Sequence, residues 1–183
     1  MDEIRILPTT EAHVEGLHRC IDVVARERRY LAFTSAPPIA QSRAFVRMLL
    51  DGGGVQFVAV DVAGEVVGWC DLVRDPRDGF SHCWHLGMGL LPPVRGRGIG
   101  RRLAQTGIAS AVEHGAERIE LEVFSSNARA IVLYERLGFA REGVKRRARK
   151  LDGIVDDNVI MALLLEAPAR GPAGDRPSPR DAF

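Results

Sequence analysis

The chain has 183 residues, 46% of them hydrophobic and 27% charged, the make-up of one soluble globular domain with a sizeable core. A formal net charge of +1 excludes a global field that gathers nucleic acid or membrane, so any anion site must be local. Cys20, Cys70 and Cys83 are widely spaced and odd in number, which argues against a disulfide framework and CxxC metal chemistry and for buried, reduced thiols.

In chain order, residues 4–7 read as a short strand that Pro8 stops. The opening MDEIRILPTT has neither the basic nor the apolar region of a signal peptide, and no later run nears the roughly 18 apolar residues of a membrane span; the cytoplasm is the expected compartment. Thr9 and Thr10 offer cap hydroxyls to a helix whose apolar face is Val14, Leu17, Ile21 and Val24. An apolar-aromatic loop, 30–38, leads to a second helix over 39–50. Residues 55–60 and 66–73 are β-branched runs joined at Ala63-Gly64, a hairpin signal, and a third strand covers 82–90. A helix follows from Ile99 to about residue 114, then a strand over 118–124 and a short helix closed by Gly138. A final hairpin, 143–151 and 155–165, turns at Asp152-Gly153. The order is β–α–α–β–β–β–α–β–α–β–β, an α/β chain with a mixed sheet and helices on both faces. Residues 1–165 form the expected domain; 166–183, rich in Pro, Gly, Arg and Ala, have almost nothing to bury and are expected to be disordered.

The chemistry concentrates at 88–102, MGLLPPVRGRGIGRR. Gly96, Gly98 and Gly100 stand among Arg95, Arg97, Arg101 and Arg102, just before a helix. A glycine loop there can turn several N–H groups toward an anion, and the helix dipole adds to the pull. A Walker loop would need GKS or GKT, which is absent. A dinucleotide fingerprint starting at Gly96 would need glycine where Arg101 stands, although Glu117 and Glu120 lie near the spacing of a ribose-binding acid.

What remains is R-x-x-G-x-G, Arg95 to Gly100, followed by NARAIVLYERLGF at 127–139. The pair resembles the loop and the N-x-x-A-x-x-x-Y-E-x-x-G-F signature of the GNAT N-acetyltransferase superfamily. The likeness is nearest the bacterial branch holding amino-acid and ribosomal-protein alanine N-acetyltransferases, and LDGIVDDNVIMALLL resembles that branch's last hairpin. The resemblance implies a sheet of about seven strands with four helices, splayed in the middle between residues 85–90 and 118–124. It implies acetyl-CoA as co-substrate and no metal. Main-chain groups of Met88, Gly89 and Leu90 would pair with the pantetheine, with Gly89 allowing close approach. Backbone N–H groups of Gly96, Arg97, Gly98, Ile99, Gly100 and Arg101 would hold the pyrophosphate, with Arg95 and the neighbouring arginines as screening charges. Asn127 would bond the pantetheine or cap its helix.

For catalysis the resemblance points to Tyr134 as the acid that protonates the leaving sulfur, a thiol of pKa about 8.5 against a phenol of about 10. The alternative is an aromatic on the stripe of Ile131 and Leu137. Many relatives place a glutamate where this chain has His85, whose imidazole type titrates at about 6.5 and could relay a proton; Glu122 and Glu120 are the other candidate bases. Tyr30 and Phe33 are candidate walls of the acceptor pocket, and Trp69 and Trp84 are expected chiefly in the core. Alternation at 145–150, KRRARK, puts Lys145, Arg147 and Arg149 on one face and Arg146 and Lys150 on the other. That suggests a solvated edge, with RNA contact as the lesser alternative. The expected activity is direct acetyl transfer to a small primary amine such as an amino acid. A protein α-amine substrate and a non-catalytic acyl-CoA-binding module are alternatives, and the chain leaves room for a homodimer.

Overall fold

The computed structural model describes residues 3–165, so the expectation for 166–183 lies outside the described residues. Its elements are β1 (Arg5–Pro8), α1 (Val14–Arg26), α2 (Ile39–Met48), β2 (Gly54–Val60), β3 (Val66–Arg74), β4 (Cys83–Leu90), α3 (Ile99–Glu113), β5 (Arg118–Phe124), α4 (Ala128–Arg136), β6 (Ala140–Leu151) and β7 (Ile154–Leu164). The described strands form one sheet in the order β1-β2-β3-β4-β5-β7-β6. Every pairing is antiparallel except β4 with β5, the two strands joined through α3. A parallel pair needs such a crossover, which is why the helix and the glycine loop before it stand between these two strands.

Alternation sorts the strand side chains onto two faces. Cys70, Leu72, Trp84, Leu86, Ile119 and Leu121 pack with Leu103, Ile131 and Tyr134 beneath α3 and α4. Val58, Val60 and Trp69 pack with Val14, Leu17, Cys20 and Val24 of α1 and Val46 of α2 on the other. Both tryptophans are core residues, at 4% exposure for Trp69 and 2% for Trp84. Among the described residues no helix is long and apolar enough to cross a membrane.

Local chemistry departs from the sequence reading at two places. Thr9 caps no helix: its N–H donates to the Gln56 carbonyl at 2.9 Å, extending the β1–β2 pairing. Thr10 instead opens a short 3-10 turn, Glu11–His13, with its N–H donated to His13 Nδ1 at 3.0 Å. The alternation across 145–150 also fails, because the β6–β7 register slips between Lys145 and Arg149. Arg147 sits there at φ 54 and its N–H donates to Asp157 Oδ1 at 2.7 Å, so the bulge re-aims the side chains that a regular strand would have alternated.

Candidate active site

β4 and β5 pair only at Cys83↔Arg118, Trp84↔Ile119 and His85↔Glu120. Beyond that point β4 stays with β3 through Leu90, and β5 stays with β7 through Phe124. The sheet therefore splits into a wedge whose walls are the unpaired edges of β4 and β5. Tyr134 stands on α4 in the core cluster on the α3 face of the sheet, 7% exposed, its ring 5.7 Å from that of Phe139. Burial pushes its phenol well above the usual range, with Cys70 and Asp71 adding to the shift, so the hydroxyl stays protonated.

At the mouth of the wedge a 3-10 turn, Pro92–Val94, delivers the chain to the glycine loop. Gly96 and Gly98 have φ of 80 and 78, the left-handed region that an L side chain resists. The first bond of α3 is Arg102 N–H to the Gly98 carbonyl, 3.1 Å. The six N–H groups from Gly96 to Arg101 thus have no acceptor among the described residues. Six unengaged donors at a helix N-terminus fit a diphosphate, the group an acetyl-CoA site must hold. Arg97 and Arg101 are exposed beside them. The sequence reading missed Arg129: a Cβ built on Gly96 would lie 2.6 Å from its Nη2, so this guanidinium leans over the loop from the first turn of α4.

Other candidates are engaged elsewhere. Arg95 turns away from the loop: its guanidinium pairs with Glu27, its Nε donates to the Leu90 carbonyl at 2.9 Å, and it lies 4.9 Å over the Tyr30 ring. That corrects the phosphate-facing expectation for Arg95 and occupies one main-chain group of Leu90. The space over Gly89 is taken by the Trp69 ring, within 2.9 Å of a built Cβ, so the close approach there is a side chain's. Asn127 does cap α4, accepting from the Ala130 N–H at 3.3 Å. Tyr30 packs at the margin of the α1 cluster under Arg29 and Arg95, while Phe33 is 43% exposed.

His85, Glu120 and Glu122 share the face opposite α3. His85 is 52% exposed at its side chain, with Nε2 3.6 Å from Asp75 Oδ2. Arg77 grips Asp75 at 2.9 and 2.6 Å and holds its carboxyl far below the usual range. The two oxygens of Glu122 accept from Lys145 Nζ and Asn158 Nδ2, and Glu120 accepts from Arg118 Nε at 2.7 Å. All three cysteines are free and buried; burial pushes the Cys20 thiol up to about 12 and Cys70 well above its ordinary value. Neither is a thiolate near neutral pH, which leaves them poor nucleophiles.

The sequence reading also passed over Asp71, the one charged residue in the apolar run VVGWCDLV of β3. Burial pushes its carboxyl up to about 7, against the opposing pull of the Gln56 and Trp69 side chains.

The family model described as Acetyltransferase (GNAT) family matches residues 23–139. The uncharacterized N-acetyltransferase YdgE of Bacillus subtilis is 36% identical over 84 residues, 46% of this chain and 54% of that protein. The N-alpha-acetyltransferase RimI of Mycobacterium tuberculosis is 34% identical over 98 residues, 53% of this chain and 60% of that protein. The chain thus spans little more than half the length of these curated relatives. Among solved structures, a GNAT superfamily phosphinothricin acetyltransferase from Sinorhizobium meliloti, in complex with AcCoA, superposes with a TM-score of 0.85 at 19% identity, covering 93% of each chain.

Proposed function

The chain belongs to the acetyltransferase (GNAT) family, and from that membership we propose that it is an acetyl-CoA-dependent N-acetyltransferase in which a primary amine attacks the donor directly. The observation that carries this reading is the run of six unengaged N–H groups, Gly96 to Arg101, opening onto the wedge between β4 and β5. When bound, acetyl-CoA supplies an activated acyl group on a thiol that can leave. The loop holds the diphosphate, and Arg97, Arg101 and Arg129 lower its charge. The free edge of β4 at Met88 and Gly89 orients the arm that follows. Tyr134, kept protonated by burial, donates its hydroxyl proton to the departing sulfur.

The amine must lose a proton before it can attack. At pH 7 that costs about 1 kcal/mol for a peptide α-amine and about 4.6 kcal/mol for a lysine side chain, from their ordinary pKa values. A modest base suffices for the first and strains for the second, which favours an α-amine over a lysine side chain as acceptor. His85, steadied by Asp75, is assigned as a relay between the wedge and solvent. Glu122 is assigned an orienting role, since a cation and an amide already hold its oxygens. The RimI relative supports a second reading, acetylation of a protein α-amine.

A thiol-release assay tests the proposal, with acetyl-CoA against free amino acids, polyamines and short peptides. Release with a small amine supports the first reading and release with peptides alone the second. Failure to bind acetyl-CoA would overturn both.

A further inference from the structure

Thr9, Gln56, Asp71 and Gly87 form one row across β1 to β4. The Thr9 N–H meets the Gln56 carbonyl, Gln56 lies opposite Asp71, and Asp71 lies opposite Gly87. The row crosses the α1 face of the sheet, whose other members are Val58, Val60 and Trp69. Gln56 is 7% and Thr9 4% exposed; the Gln56 amide acts on the Asp71 carboxyl, yet Gln56 Oε1 and Thr9 Oγ1 have no hydrogen-bond partner among the described residues. Buried polar atoms are rarely left so, and a row of them beneath an apolar cluster points to a polar guest, water or ligand.

The row ends at the wedge. A Cβ built on Gly87 would lie 2.8 Å from Asp71 Oδ2, so the carboxyl leans across β4 through the space where a side chain would stand. β4 is the wall of the wedge, and its unpaired edge begins one residue earlier, at Leu86. Tyr134 feels the Asp71 charge from the α4 side. No cation pairs with Asp71 among the described residues, whereas Glu120 and Glu122 both have one.

We propose that Asp71, reaching the wedge over Gly87, is the catalytic residue that takes the proton from the acceptor amine. This rests on the acetyl-transfer reading above. In the step, an N–H bond of the ammonium breaks, an O–H bond forms on the Asp71 carboxylate, and the electron pair stays on nitrogen for attack. The proton then leaves Asp71 for solvent by way of the His85 rim. Burial without a cation sets the carboxyl near neutrality, where a general base works best. The ionisable neighbours are Cys70 on β3, His85 two places along β4 on the same face and Tyr134 from α4; Cys20 lies in the α1 cluster on that face.

The test compares wild type with Asp71→Asn and Gly87→Ala across pH 5.5–9, using thiol release from acetyl-CoA with the amines of the panel. Wild type is expected to lose kcat/KM on the acid side with a midpoint near 7. D71N is expected to lose about 100-fold in kcat, and the acid limb with it, while still binding acetyl-CoA. Carboxyl 13C NMR of aspartate-labelled free protein gives a readout without turnover: one resonance titrating near 7 that is missing in D71N. A D71N protein with the wild-type rate and limb overturns the proposal, and so does the absence of that resonance. If D71N does not fold, G87A is read in its place, since it keeps the carboxyl and crowds its oxygen; an unshifted acid limb there overturns the proposal. Wild type that neither binds acetyl-CoA nor releases thiol defeats the transfer reading itself, and this proposal falls with it.

Discussion

The two halves of the wedge are built from different materials. The half proposed to hold the donor, Gly96 to Arg101, is main chain: six N–H groups that glycines and a helix start leave unengaged, with arginines around them. The half proposed for acid–base chemistry is side chain: Tyr134 from α4, Asp71 from β3 across Gly87, and His85 at the rim with Asp75 behind it. A main-chain cradle tolerates change in its side chains but not in its dihedral angles. A side-chain constellation tolerates isosteric change in shape but not in protonation. Substitutions in one half should therefore move donor affinity, and in the other turnover and pH dependence.

Four substitutions sharpen or break that division. Tyr134→Phe should cut kcat by about 100-fold or more with donor affinity unchanged, read by steady-state kinetics beside calorimetric binding. Equal losses in both would put Tyr134 in the binding half. Gly98→Val forces a β-branched side chain into φ 78 at a place where a built Cβ meets no atom within 4 Å. It should weaken acetyl-CoA binding by about tenfold or more through misdirected N–H groups, and leave kcat at saturating donor nearly intact.

Asp71→Asn should alter stability as well as rate. The folded carboxyl titrates near 7, above the ordinary 3.8, so between those values the native state holds the extra proton. Wild-type stability should then fall as pH rises through that window and level off above 7, an effect on the order of 1 kcal/mol or more. D71N should lack this decline, as thermal melts at pH 5 and 8 would show. Asn127→Ala removes the α4 cap and should cost about 1 kcal/mol in a melt, with a small effect on kcat.

The glycine loop was legible in the sequence because its conformation is local. Glycine spacing, a proline pair and the helix that follows are written in consecutive residues, and the structure places them as a loop with left-handed glycines. The splayed sheet was legible through resemblance, with the pairing ending at His85↔Glu120. The acid–base half depends on register, which no single stretch encodes. Asp71 gains meaning only opposite Gly87, sixteen positions away by number and one strand away in space. Gly89 was read as room for the pantetheine, and only the β3–β4 register reveals that the Trp69 ring fills that space. Arg95 looked like its neighbours in composition, yet Glu27 and Tyr30, brought beside it by α1 and the segment that follows, draw its guanidinium aside. The β6 bulge misled for the same reason: the Asp157 carboxylate across the hairpin recruits the Arg147 N–H and breaks an alternation that the sequence could only assume.

The central claim is that the unengaged N–H groups of Gly96 to Arg101 are the donor's anchor. The direct measurement is an amide 15N–1H titration of the full chain with CoA. The six amides of Gly96 to Arg101 should shift together, and in Gly98→Val they should shift only at higher CoA. Saturation with CoA that leaves those six amides unmoved would contradict the claim.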